Sequence, residues 1–224
     1  MYKEILKEVL LEISNGNDRG EKITLIGATK TIPVDVINQA IDLGLSVVAE
    51  NRVQEFREKT DLISKKARQD FIGHLQTNKV KYLVGKVGVI HSVDSLKLAN
   101  EISLRAQKLG VMQDVLMEIN IGGELSKSGF TPENAISSAL QIASYKGVNL
   151  VGIMAMLPKS QDEEYLSSLC KRVREIYDEL IKKGLPLSML SVGMSGDYKI
   201  AIKNGSNAIR LGSKIFGKRN YGEN

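Results

Sequence analysis

The amino-acid sequence predicts a single (β/α)8 barrel of the TIM-barrel type over residues 1–224, with an extra helix at the N-terminus. Three observations carry this. Short apolar runs alternate with helix-period segments along the chain, the pattern of βαβ units that build a parallel sheet. Eight such runs can be counted, and most are apolar at consecutive positions rather than at every second one, as strands covered on both faces require. The chain of 224 residues shows no linker, repeat or low-complexity tract, and barrels of this class commonly reach such a length as one domain. An open, doubly wound sheet is the competing arrangement.

The elements follow in order. Ile5, Leu6, Val9, Leu10 and Ile13 recur at helical spacing, and SNGND (14–18) then ends the first helix. The strand-like runs are ITLIGAT (23–29), LSVVAE (45–50), DFIG (70–73), VGVIHS (87–92), DVLMEIN (114–120), VNLVGIMAM (148–156), LSVGM (190–194) and AIRLG (208–212). Helical segments lie between them. The clearest runs from Asp162 to Lys183, with Leu166, Leu169, Val173, Ile176, Tyr177 and Leu180 on one face. Lysines in its last turn, then Gly184 and Pro186, are stop signals.

Composition narrows the function classes. The formal charge is +5, but Lys and Arg are scattered and aromatic residues are only 5%. That argues against a nucleic-acid stripe with stacking aromatics and suits a cleft for an anionic small molecule. One cysteine, Cys170, cannot make an internal disulfide or a cysteine metal cage. It falls among apolar helix positions and reads as a core residue. His74 and His91 lie on separate strand ends without an acidic cluster, so no metal is expected. Acidic residues interrupt the N-terminal MYKEILKEVLLEIS, unlike a signal peptide, and no apolar run approaches the roughly 20 residues of a membrane span. A cytoplasmic protein with no membrane partner is expected.

In a barrel, the loops after the strands share the face where ligands bind. Thr29 and Lys30 follow the first run, ENRVQE the second, GHLQTNK the third, HSVDS the fourth, NIGGELSKSG the fifth, GMSGD the seventh and GS (212–213) the eighth. GMSGD and RLGS place glycine and serine at the last two strand-to-helix turns. There, backbone amides, hydroxyls and helix N-termini can cradle a phosphate; helix capping by Ser195 and Ser213 is the plainer alternative. Lys30, where a strand ends, is either a solvated neighbour of the mouth or an amine kept neutral enough to condense with an aldehyde. A phosphate cradle and a lysine together suggest a phosphorylated aldehyde: pyridoxal 5′-phosphate (PLP), or a sugar phosphate in an aldolase.

The motifs ATKTIP, AENRVQE, FIGHLQTNKVK, HSVDS, NIGGELSKSGF, GIMAMLP and SVGMSGDYKIAIKNGSNAIRLGSKIFGKRNY resemble, in order and from about Lys30 to Tyr221, those of the pyridoxal phosphate homeostasis proteins. That family is similar in fold to the N-terminal barrel domain of alanine racemase. The resemblance implies that Lys30 holds PLP as an internal aldimine. It places Asn51 beside the pyridine ring and Arg210 opposite the pyridine nitrogen. Met194, Ser195, Gly212 and Ser213 fall around the phosphate, and Lys127 matches a lysine near the site. Many members carry a second lysine two positions after the first; here Ile32 stands there.

An arginine can only donate a hydrogen bond, so Arg210 would favour an unprotonated ring nitrogen and a weaker electron sink. Racemization also needs a second base, which the racemase takes from another domain that this chain has no room for after residue 221. The resemblance therefore implies a PLP reservoir or carrier in intracellular PLP homeostasis, without established turnover, and a monomer. Its further partners would be amino acids and PLP-dependent apoenzymes. A racemase-like enzyme on amino acids is the alternative, and a cofactor-free Schiff-base aldolase a third reading.

Overall fold

The computed structural model describes residues 2–124 and 127–217. Eight parallel strands close into a barrel in sequence order: β1 (Thr24–Ala28), β2 (Val47–Glu50), β3 (Arg68–Phe71), β4 (Val89–Val93), β5 (Gln113–Ile119), β6 (Val148–Ala155), β7 (Met189–Val192) and β8 (Ala208–Leu211). Closure is made by β1 on β8, with Thr24 opposite Ala208 and Gly27 opposite Leu211. That pairing excludes the open sheet.

Helix α1 (Tyr2–Glu12) precedes the barrel; α2 (Val34–Asp42), α3 (Val53–Lys59), α4 (Leu96–Leu109), α5 (Ala135–Ala143), α6 (Glu163–Lys182), α7 (Tyr198–Lys203) and α8 (Ser213–Phe216) follow their strands. The third strand is followed instead by a 3₁₀ segment, Thr77–Tyr82. Local chemistry sets the best-defined ends. Ser95 Oγ accepts from the Leu98 amide at the start of α4, and Gly110 closes that helix at φ +65°. Asp162 accepts from the Tyr165 amide at the start of α6. Caps of this kind contribute about 1 kcal/mol each.

The core has two parts. Leu25, Val48, Ile90, Val115, Ile153, Leu190 and Ile209 face outward and are buried under the helices, where side chains such as Ile37 of α2 meet them. Leu6, Val9 and Ile13 pack the N-terminal helix into the same layer beside Ile23 and Ile215. Cys170 is buried there, 3% exposed, as a core residue. Inside the barrel, Ile26, Val47, Ala49, Val89, Leu116, Met154, Met189 and Ala208 form an apolar plug. Strands buried on both faces explain the consecutive apolar runs. Among the described residues no helix is long and apolar enough to cross a membrane; the 20-residue α6 is amphipathic.

The eight runs all become strands, with ends shifted by up to a few residues. β3 is displaced furthest: it begins at Arg68, and Ile72 and Gly73 lie beyond its end. Gly73 passes so close to β2 that a Cβ on it would sit 1.9 Å from the Asn51 carbonyl oxygen.

Candidate functional site

Side chains alternate across a strand, so two residues above the plug a second inward layer begins, and it is polar. Arg210 follows Ala208, Ser191 follows Met189, His91 follows Val89 and Glu118 follows Leu116. Arg210 is 5% exposed. It spans two strands, donating from Nη1 to the Ser191 carbonyl and hydroxyl, both at 2.7 Å, and from Nη2 to the Ala155 carbonyl at 3.0 Å. Burial lowers its pKa to about 10, against the pull of Glu118 and Asp197. Glu118 is 5% exposed. Burial, reinforced by Asp94 and opposed by Arg210, raises its carboxyl pKa to about 7. His91 Nε2 lies 3.1 Å from Asp70 Oδ2, and its Nδ1 is buried without a partner. Burial pushes the His91 pKa down, so the ring is neutral near pH 7. Burial would raise Asp70, but bonds from His91 and Arg68 outweigh it and hold the carboxyl below its usual range.

Lys30 stands at the top of β1 in a tight turn, partly buried, and its amine forms no hydrogen bond or ion pair with a described residue. The turn itself is held firmly. The Ile32 amide donates to the Thr29 carbonyl at 2.9 Å, and the Thr31 amide to Glu55 Oε2 at 2.7 Å. Thr31 has φ +65°, the left-handed region, and is the one non-glycine residue there among those described. Lys59 Nζ reaches the Thr29 carbonyl, Glu50 and Glu55. Burial raises the Glu50 carboxyl despite bonds from Lys59 and Thr29.

The register Ala28 opposite Ala49 puts Asn51 on the strand path beside Lys30. Asn51 Oδ1 is buried with no hydrogen-bond partner. The turns after β7 and β8 are linked: Ser195 Oγ accepts from the Lys214 amide at 3.1 Å. Ser195 therefore does not cap α7, and Gly212, not Ser213, precedes the first turn of α8. Both helices are short, six and four residues, so individual amides rather than a helix dipole give this corner its character. The Met194 amide donates to Asp197 Oδ1. The Ser195 and Gly196 amides have no acceptor among the described residues, and the space beside Gly196 is open.

The mouth thus gathers Lys30, Asn51, Arg210, Met194, Ser195, Gly212 and Ser213 at the carboxyl ends of β1, β2, β7 and β8. Lys127 pairs with Glu124 in the loop after β5. Glu118, Asp70 and Lys59, which the sequence reading left aside, stand around the mouth as well, Asp70 paired with the strand-end His91 and Lys59 with Glu50 at the end of β2. The signal for the acids was a carboxylate within or at the edge of an apolar run, in DVLMEIN, DFIG and LSVVAE.

These groups fit a flat, polar ligand with a carbonyl and an anionic end. The unpaired Lys30 amine could meet the carbonyl, amides without acceptors could meet the anion, and the orphaned Asn51 oxygen lacks a donor that such a ligand could bring.

Residues 30–220 match the family described as "Alanine racemase, N-terminal domain". A pyridoxal phosphate homeostasis protein of Aquifex aeolicus is 42% identical over 97% of this chain and 98% of its own length. The structure of PipY from Synechococcus elongatus with PLP bound superposes with TM-score 0.84 at 28% identity, covering 97% of this chain and all of that one; its PLP-free structure gives 0.88 at 27%. An alanine racemase of Clostridium difficile, 19% identical with TM-score 0.80, shares the fold over 58% of its own length. Fold, motif order and near-complete coverage agree, and the chain belongs to the pyridoxal phosphate homeostasis protein family within the alanine racemase N-terminal domain fold.

Proposed function

We propose that this protein binds PLP in the barrel mouth, joined to Lys30, and serves as a reservoir or carrier in cellular PLP homeostasis. The observation that carries the reading is the Lys30 amine: it stands at the strand end where ligands of this fold bind, in a firmly held turn, with no described side chain engaging it. The Lys30 amine would hold the bound PLP by condensing with its aldehyde, whose oxygen would leave as water. Bound PLP supplies an electron sink. The protein's own residues orient it. The Ser195 and Gly196 amides, with Ser213, would receive the phosphate, and the Asn51 side chain would meet the ring edge.

Arg210 would face the ring nitrogen of bound PLP and can only donate. It is already engaged with Ser191 and Ala155, and its fixed positive charge disfavours a protonated ring nitrogen. The sink is correspondingly weak, which suits storage and release better than fast chemistry at the amino-acid carbon. Relatives named as homeostasis proteins rather than enzymes support the same reading. The test is incubation of the PLP-loaded protein with single enantiomers of alanine and serine, followed by chiral chromatography. The expected result is spectral change from imine exchange with no racemized product; sustained racemization would establish an enzyme instead.

A further inference from the structure

Lys59 ends α3, four residues after Glu55, so both side chains leave that helix on one side. Its side chain is 14% exposed and its ammonium has three acceptors: the Thr29 carbonyl at 3.1 Å, Glu50 Oε1 at 2.9 Å and Glu55 Oε2 at 3.0 Å. The same Glu55 oxygen accepts from the Thr31 amide at 2.7 Å. Thr29 Oγ1 completes the set, donating to Glu50 Oε1 at 2.8 Å and lying 3.1 Å from the Ala49 carbonyl. Two of these bonds grip the backbone on either side of Lys30, at the Thr29 carbonyl and the Thr31 amide, the others tie the gripping side chains together, and none touches the Lys30 side chain.

The conformation so held is one the chain does not adopt freely. Thr31 is β-branched and sits at φ +65°, a region such residues avoid. Released from Glu55, the turn would relax to negative φ and swing the Cα–Cβ direction of its neighbour. Strained residues kept in place by surrounding bonds are a recurring feature of functional turns.

We propose that Lys59 is a positioning residue: with Glu50 and Glu55 it clamps the Thr29–Thr31 turn so that the Lys30 amine is aimed into the mouth before a ligand arrives. This rests on the reading of Lys30 as the carbonyl-bonding amine. A merely structural tie between α3 and β1 would affect stability alone. A clamp must also change how readily Lys30 bonds.

The test compares wild type with Lys59→Met, Lys59→Arg, Glu55→Gln and Glu55→Ala. Hydrogen exchange at the Thr31 amide is read in the PLP-free protein, and PLP titration is followed by imine absorbance and borohydride trapping. Lys59→Met is expected to speed Thr31 exchange while β1 and β2 stay protected, and to raise the PLP dissociation constant roughly tenfold to a hundredfold, the usual consequence of a small misplacement of a reacting group. Glu55→Gln, which keeps an acceptor for the Thr31 amide, should lose less than Glu55→Ala, and Lys59→Arg should recover part of the affinity. A folded Lys59→Met protein with wild-type Thr31 exchange and PLP affinity would overturn the clamp and leave Lys30 as the bonding amine. If Lys59→Met does not fold, unchanged affinity in Glu55→Ala overturns it equally. Wild-type protein trapped at a lysine other than Lys30 would sink both readings.

Discussion

Replacing Glu118 by Gln tests the electrostatics of the inner polar layer quantitatively. The Glu118 carboxyl, 5% exposed, titrates at about 7 when folded, against 4.5 for an unperturbed glutamate. Burial is the main cause; Asp94 adds to it and Arg210 opposes it. Between those two pH values the folded state binds more protons than the unfolded state, so stability must fall as pH rises. The stability attached to this group is fully present below about pH 4.5 and is lost as pH climbs through about 7. A difference of about 2.5 units at 1.36 kcal/mol each gives about 3 kcal/mol, most of it lost between pH 5 and 8. Gln cannot ionise, so the variant lacks this component. It keeps Asp94, His91, Asp70 and Arg210, whose own titrations largely cancel in the difference. Urea denaturation of both proteins at pH 5, 6, 7 and 8 provides the assay. Relative to wild type, Glu118→Gln should gain on the order of 2–3 kcal/mol from pH 5 to pH 8, whatever its absolute stability. Parallel curves for the two proteins would refute the reasoning and mean that Glu118 is solvated or ionised at neutral pH.

Two other predictions concern packing. Gly73→Ala puts a methyl group where a Cβ would lie 1.9 Å from the Asn51 carbonyl oxygen; calorimetry should show a loss of about 1–3 kcal/mol, with weaker PLP binding because Asn51 must shift. Cys170 is 3% exposed, and burial, helped by Asp197, raises its pKa to about 12; an aromatic disulfide reagent at pH 8 should therefore leave it unmodified until denaturant is added.

The fold was legible because its signal is local. Every strand but β3 is a largely apolar run of four to eight residues, and helices such as α6 carry their own caps, Asp162 at one end and Gly184 beyond the other. What escaped were features set by neighbours distant in sequence. β3 starts at Arg68 because the Arg68 amide donates to Ser46 and the strand pairs with Val47–Glu50, which DFIG does not reveal. The 3₁₀ segment after β3 occupies the space of a full helix, and nothing in TNKVKY announces that. At the site, glycines, serines and Lys30 advertised themselves by position. The Ser195 bond to Lys214 and the Asp197 bond to Met194 did not, since a serine between glycines fits a helix cap equally well. Glu118 sits inside an apolar run and Asp70 and Glu50 at the edges of two others, yet their partners Arg210, His91 and Lys59 lie on other elements. Lys59 looked like an ordinary last-turn cation of α3, and only the turn after β1 shows what it holds.

The most direct test is to load the purified protein with PLP, reduce it with borohydride and map the modified peptide by mass spectrometry. The predicted result is a stable pyridoxyl-phosphate adduct on Lys30 alone, absent from Lys30→Ala, whose fold should survive because that amine has no described partner to lose. An adduct on another lysine, or a Lys30→Ala protein that still traps PLP stoichiometrically, would contradict the account.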